Sequence, residues 1–146
     1  MRVGMISPYS LTVPGGVRNQ ILALAKSIRK LGTDVRILGP CDGPPPDTGI
    51  TPLGNSLPTA TNGSIAPLAP DAAAQLRVIR ALRDEQFDVL HVHEPLAPGP
   101  TITSIVLKQS PIVATYHRSG HSKFYEYFNR PARWVASRVE MNRAVS

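Results

Sequence analysis

The chain has 146 residues, a net charge of +6 and a single cysteine, Cys41. Its length suits one domain with a real core, and 42% hydrophobic with 18% charged residues exclude a disordered chain. One cysteine excludes an internal disulfide and a paired-cysteine zinc site, and no apolar run reaches the roughly 18 residues of a membrane span.

Residues 2–7 read as a buried strand, with Val3, Met5 and Ile6 before Pro8. Residues 17–31 read as an amphipathic helix, because Ile21, Leu24, Ala25, Ile28 and Leu31 recur at steps of three and four. Gly32 stops it. Residues 34–38 form the next strand, which completes a right-handed β-α-β unit. Residues 39–70 hold eight of the fifteen prolines. An ordered excursion of loops and short extended pieces, with a small hairpin, is expected there. Asp71 caps a helix over 72–85 whose inner face carries Leu76, Ile79 and Leu82. Residues 87–92 make a third strand, 101–108 a short helix and 111–116 a fourth strand. Residues 122–141 are helical in pattern, with Pro131 in a first turn, and 144–146 look like the start of another strand. This alternation predicts an α/β, Rossmann-like parallel sheet with helices on both faces. Ligands then belong at the carboxyl ends of the strands.

After the first strand, Gly15 and Gly16 open the helix. They form either a plain turn or a place where backbone N–H groups and the positive helix end meet a phosphate. The spacing is neither GxGxxG nor a Walker loop. His91 and His93 alternate on one side of the third strand, beside Glu94. Hydrogen-bonded histidines are favoured over a metal site there, so no metal is expected. His117, after the fourth strand, is placed either to contact a ligand and move a proton or to cap locally. Arg77, Arg80 and Arg83 lie along one side of the second helix, and the last segment interleaves further cations with aromatic residues. An anionic membrane surface fits this better than nucleic acid, since 5% aromatic content gives no base-stacking platform.

Together, Met1-Arg2-Val3-Gly4-Met5-Ile6-Ser7-Pro8-Tyr9, Val13-Pro14-Gly15-Gly16-Val17, Asn62-Gly63-Ser64, His91-Val92-His93-Glu94-Pro95 and Ala114-Thr115-Tyr116-His117 resemble the N-terminal domain of family 4 retaining glycosyltransferases of the GT-B fold. The likeness spans residues 1–146 and is strongest to the actinobacterial phosphatidylinositol mannosyltransferases. It implies a domain on the acceptor side of a two-domain cleft. Sugar, mannose from GDP-mannose, would pass to a lipid-linked or polyol acceptor, with no cofactor and no metal. It implies that Gly15 and Gly16 admit the donor diphosphate and that His117 is catalytic beside the transferred sugar. Tyr9, Arg18, Thr61 and Asn62 would line the acceptor pocket. Arg77, Arg80 and Arg83 would face the inner leaflet of the plasma membrane from the cytoplasm. Where that branch has Asp, Gln, Tyr and Arg, this chain has Thr12, Arg18, Thr61 and Pro67. No E-x7-E motif is present. A second, nucleotide-sugar domain is therefore expected in cis or in trans, and the chain by itself is expected to be inactive. The alternative is a non-catalytic module that binds an anionic glycolipid or a partner chain.

Overall fold

The computed structural model describes residues 1–61, 64–117 and 129–145. The order is β1 (Arg2–Ile6), α1 (Gly16–Lys30), β2 (Asp34–Gly39), β3 (Ile50–Pro52), β4 (Leu57–Thr61), β5 (Ser64–Leu68), α2 (Ala72–Glu85), β6 (Val89–His93), α3 (Pro100–Leu107), β7 (Ile112–Tyr116), α4 (Asn129–Ser137) and β8 (Met141–Ala144). Six strands make a sheet in the order β3-β2-β1-β6-β7-β8, with every neighbouring pair parallel. The expected hairpin is β4–β5, antiparallel and separate from that sheet. The Rossmann-like α/β class follows directly from this topology.

Alternation along the strands builds two cores. Val3, Met5, Val35 and Ile37 point to the α1 side, where they meet Ile21 and Ala25. Ile6, Leu38, Leu90, Val92, Ile112 and Ala114 join Val78, Leu82, Ile105 and Val135 of α2, α3 and α4 on the other side. A parallel sheet buried on both faces needs this two-sided apolar pattern. Gly4 makes room on the second side: a Cβ there would lie 2.8 Å from Cδ2 of Phe87.

Two expectations are corrected. On α2 the buried residues are Ala74, Val78, Ala81 and Leu82, while Leu76 and Ile79 are 66% and 39% exposed. The helix turns its small alanines inward, and the two larger residues are left outside. Asp71 does cap α2, its Oδ2 accepting from Ala74 N at 3.0 Å. At the C-terminal end the helix stops at Ser137 and a strand begins at Met141, where helix was expected. Glu140 is the reason. Its N–H donates to Ile112 O at 2.9 Å, and its carboxylate accepts from Ile112 N at 2.6 Å, which aligns β8 on β7. Ile50–Pro52 is one of the expected short extended pieces and joins the main sheet beside β2, with proline at its end. Pro131 lies in the first turn of α4 as expected. Residues 122–128 of the expected helix lie outside the described residues.

Candidate functional site

Because the sheet is parallel, β1, β6 and β7 end on the same edge. Three features meet the eye there: the loop from β1 into α1, the His93–Glu94 step after β6, and His117 after β7.

The first loop is held from several directions. Ser7 N donates to Leu38 O at 2.8 Å, Leu11 N to Pro40 O at 2.8 Å and Ser10 N to Pro67 O at 3.0 Å. Leu11 is fully buried. Asp42, from the proline-rich excursion, acts as a clasp. Its carboxylate accepts from Ser10 Oγ at 2.5 Å, Ser56 N at 2.7 Å and Ser56 Oγ at 2.9 Å. Its own N–H donates to Thr12 Oγ1 at 2.9 Å. Burial pushes the Asp42 carboxyl up, but the hydrogen bonds from Ser10 and Ser56 outweigh it and hold the group below its ordinary range.

At the end of this loop Gly15 caps α1 with no side-chain hydrogen bond, and no acidic residue occupies the first turn. The positive end of the helix is thus not neutralised by its own sequence. A Cβ added at Gly15 or Gly16 would meet nothing within 4 Å among the described residues. Packing among those residues therefore does not demand glycine at either position. Arg18, one turn on, donates through Nε to Leu11 O at 2.7 Å and through Nη1 to Asn19 Oδ1 at 2.9 Å.

The histidines form a row. His91 and His93 stack with centroids 4.3 Å apart, and His93 and His117 at 5.1 Å. His91 Nε2 and Thr115 Oγ1 are hydrogen-bonded at 2.7 Å, and His93 Nδ1 and His117 Nε2 at 2.8 Å. His93 is 1% exposed. Burial, then the charges of Arg143 and His117, lowers the His91 pKa to about 4. Burial first, then His91 and His117, lowers His93 to about 2. Burial also lowers His117. All three rings are neutral at physiological pH. Among the described residues no group of three His, Cys, Asp or Glu side chains forms a candidate metal site.

Glu94, which the sequence shows only as a carboxylate beside the histidines, has a structural part in the site. It is 6% exposed, its carboxylate accepts the backbone N–H of His117, and its N–H donates to Thr115 O at 2.8 Å. Its φ of 48° lies in the left-handed region, which costs a non-glycine residue energy and recurs at functional sites. The sequence signal was a charged residue placed directly after a buried strand and before a proline.

The structure thus brings Gly15, Gly16 and His117 to one edge of the sheet. Tyr9 and Arg18 belong to the same loop and first turn. The Ser10–Pro67 bond joins the β4–β5 hairpin to that loop, and Thr61 ends β4 at its tip. Asn62 lies outside the described residues. Arg77, Arg80 and Arg83 are exposed on α2. Arg77 Nη1 donates to Leu53 O at 3.3 Å, while Arg80 and Arg83 both lie beside Asp84, at 3.8 and 3.2 Å. No described helix is long and apolar enough to cross a membrane.

Comparison with known proteins gives the family. The family model for Glycosyltransferase Family 4 matches residues 14–146. A phosphatidyl-myo-inositol mannosyltransferase of Mycobacterium leprae is 44% identical over 123 residues, which is 82% of this chain and 32% of that protein. One of Propionibacterium freudenreichii is 34% identical over 155 residues, covering 100% of this chain and 41% of the relative. The chain therefore spans about a third to two fifths of the length of these relatives. A crystal structure of MurG from Acinetobacter baumannii superposes with a TM-score of 0.60 at 16% identity, covering 99% of this chain and 41% of that one. That likeness is one of fold, and it agrees with the Rossmann-like half of a GT-B architecture. With the family match running over most of its length, the chain belongs to glycosyltransferase family 4.

Proposed function

We propose that the chain is the acceptor-side domain of a retaining glycosyltransferase. In this reading it moves mannose from GDP-mannose to a hydroxyl of a lipid-linked or polyol acceptor such as phosphatidylinositol. One observation carries it: the uncapped start of α1 at Gly15 and Gly16 shares an edge of the sheet with His117. Bare amides at a helix start suit an oxygen of the leaving diphosphate, and the neutral imidazole suits a sugar hydroxyl. The relatives' names support the mannosyl group and the inositol lipid.

The remaining roles follow from chemistry. Departure of a diphosphate needs cations aimed at it, and a second, nucleotide-sugar domain supplies those in cis or trans. No metal or cofactor enters. Arg18 offers the cation that faces an acceptor phosphate, where the related branch uses the position of Pro67. The outer face of α2 combines exposed Leu76 and Ile79 with Arg80 and Arg83. Such a face suits peripheral binding to the anionic inner leaflet.

The test joins this chain to a nucleotide-sugar domain of the family and measures mannose transfer from GDP-mannose to phosphatidylinositol, with UDP-glucose as the competing donor. Gly16→Val is expected to lower kcat/KM about tenfold or more, with the thermal midpoint unchanged because the site is open. His117→Ala is expected to lower turnover with the fold intact. Transfer indifferent to both substitutions overturns the reading, and glycolipid binding without any transfer points to a non-catalytic module.

A further inference from the structure

We propose that His93 is a positioning residue that sets the tautomer of His117, so that the His117 ring carries its proton on Nδ1 and accepts through Nε2. The use of that proton rests on His117 being the working imidazole of the site, as argued above. The tautomer itself rests on the geometry of the pair and on the burial that keeps both rings neutral.

The contact of 2.8 Å between His93 Nδ1 and His117 Nε2 requires one proton between the two nitrogens. Burial keeps both rings from taking up a second proton near neutral pH. Each ring then has one N–H, and only two arrangements exist. If His117 Nε2 donates, the single proton of His93 must sit on its own Nε2. That atom is buried and has no hydrogen-bond partner among the described residues, so the arrangement strands an N–H in the protein interior. Stranded buried N–H groups are among the rarest features of native structures. If instead His93 Nδ1 donates, only a lone pair at its Nε2 is left bare, which costs less. His117 Nε2 is then the acceptor, and its proton must be on Nδ1.

The surroundings hold this pair in register. His91 stacks on the other side of His93 and is tied to Thr115 Oγ1 at 2.7 Å. Glu94 takes the backbone N–H of His117 and gives its own to Thr115 O at 2.8 Å. Backbone and ring of His117 are thus fixed by consecutive residues of the HxHE segment. The chemical consequence is specific. His117 meets a ligand as a hydrogen-bond donor through Nδ1, and its Nε2 lone pair, occupied by His93, is not available to act as a base.

The experiment uses the chain with 15N-labelled histidine and long-range proton–nitrogen correlation at a pH above neutral. His93 and His117 are both expected to show the Nδ1–H pattern. His93→Asn, whose amide N–H reaches from nearly the same place as Nδ1, is expected to keep His117 in that form. His93→Leu is expected to release it toward Nε2–H, the form an unconstrained imidazole side chain favours. In the joined transferase His93→Leu should then lower kcat about tenfold while KM holds, with His93→Asn recovering most of it. A wild-type spectrum with His117 as Nε2–H overturns the inference, whatever the variants do. A spectrum of the joined transferase with Nδ1–H that GDP-mannose leaves unmoved upholds it and tells against the donor site instead.

Discussion

The carboxylate of Glu94 accepts the backbone N–H of His117 from a residue whose own φ is 48°. The end of β6 thereby fixes the end of β7 with a backbone shape that costs energy. Glu94→Ala keeps the strain and removes the acceptor. It is expected to destabilise the chain by about 1–3 kcal/mol and to lower turnover of the joined transferase. An unchanged urea midpoint would sink this assignment.

Acid should weaken the fold earlier than carboxylates alone can explain. The unfolded chain protonates His91 near the ordinary histidine value of 6.5, while the folded chain does so only at about 4, because the ring is buried. Between these values the unfolded state binds more protons, so stability is complete above 6.5 and is lost as pH falls toward 4. At about 1.4 kcal/mol per pH unit, His91 alone costs roughly 3 kcal/mol by pH 4. His93 and His117 act with the same sign. The lowered carboxyls of Asp42, Asp47 and Glu140 act in a lower window, below the ordinary carboxylate range. Urea midpoints should therefore start to fall between about pH 6.5 and about pH 5; a flat profile there contradicts the neutral histidine row.

Gly4 and Phe87 form a size-matched pair. A methyl group at Gly4 would meet Cδ2 of Phe87 at 2.8 Å and its Cγ at 2.9 Å. Gly4→Ala is expected to cost about 1–3 kcal/mol. Phe87→Leu in the same chain should recover part of that loss, giving a double-mutant coupling of about 0.5 kcal/mol or more. Strict additivity in denaturant titrations would show that the two do not share the space.

Membrane attachment is read out with vesicles. Charge reversal of Arg80 and Arg83, both exposed, should weaken binding to anionic vesicles by about 1 kcal/mol per removed cation. Leu76→Ser with Ile79→Ser should weaken it further through lost apolar contact. Neither pair is buried, so thermal midpoints should stay where they are. Equal binding to neutral and anionic vesicles would remove α2 as the attachment face.

The sequence announced what local chemistry determines. Gly32 and Asp71 mark helix ends by turn geometry and capping, and α1, β2 and α2 fall within a residue or so of their expected bounds. The edge of the sheet that carries Gly15, Gly16 and His117 followed from alternation alone. Less legible was anything that depends on which neighbour arrives. Leu76 and Ile79 stand three residues apart and Val78 and Leu82 four, both helical steps, and only the packing of α2 decides between the two faces. Glu140 reads as a helix residue until Ile112 stands beside it. The His93–His117 contact joins residues 24 apart, and the Ser10–Asp42 contact joins residues 32 apart. No pattern within one element encodes either.

The Asp42 clasp has a consequence for motion. One carboxylate grips Ser10 and Ser56, and its backbone grips Thr12, so three stretches of chain share a single fastening. The turn ahead of α1 and the proline-rich excursion should therefore open to solvent as one cooperative unit. Amide exchange at Leu11, Asp42 and Ser56 would then run at a common rate, although up to 45 positions separate them along the chain.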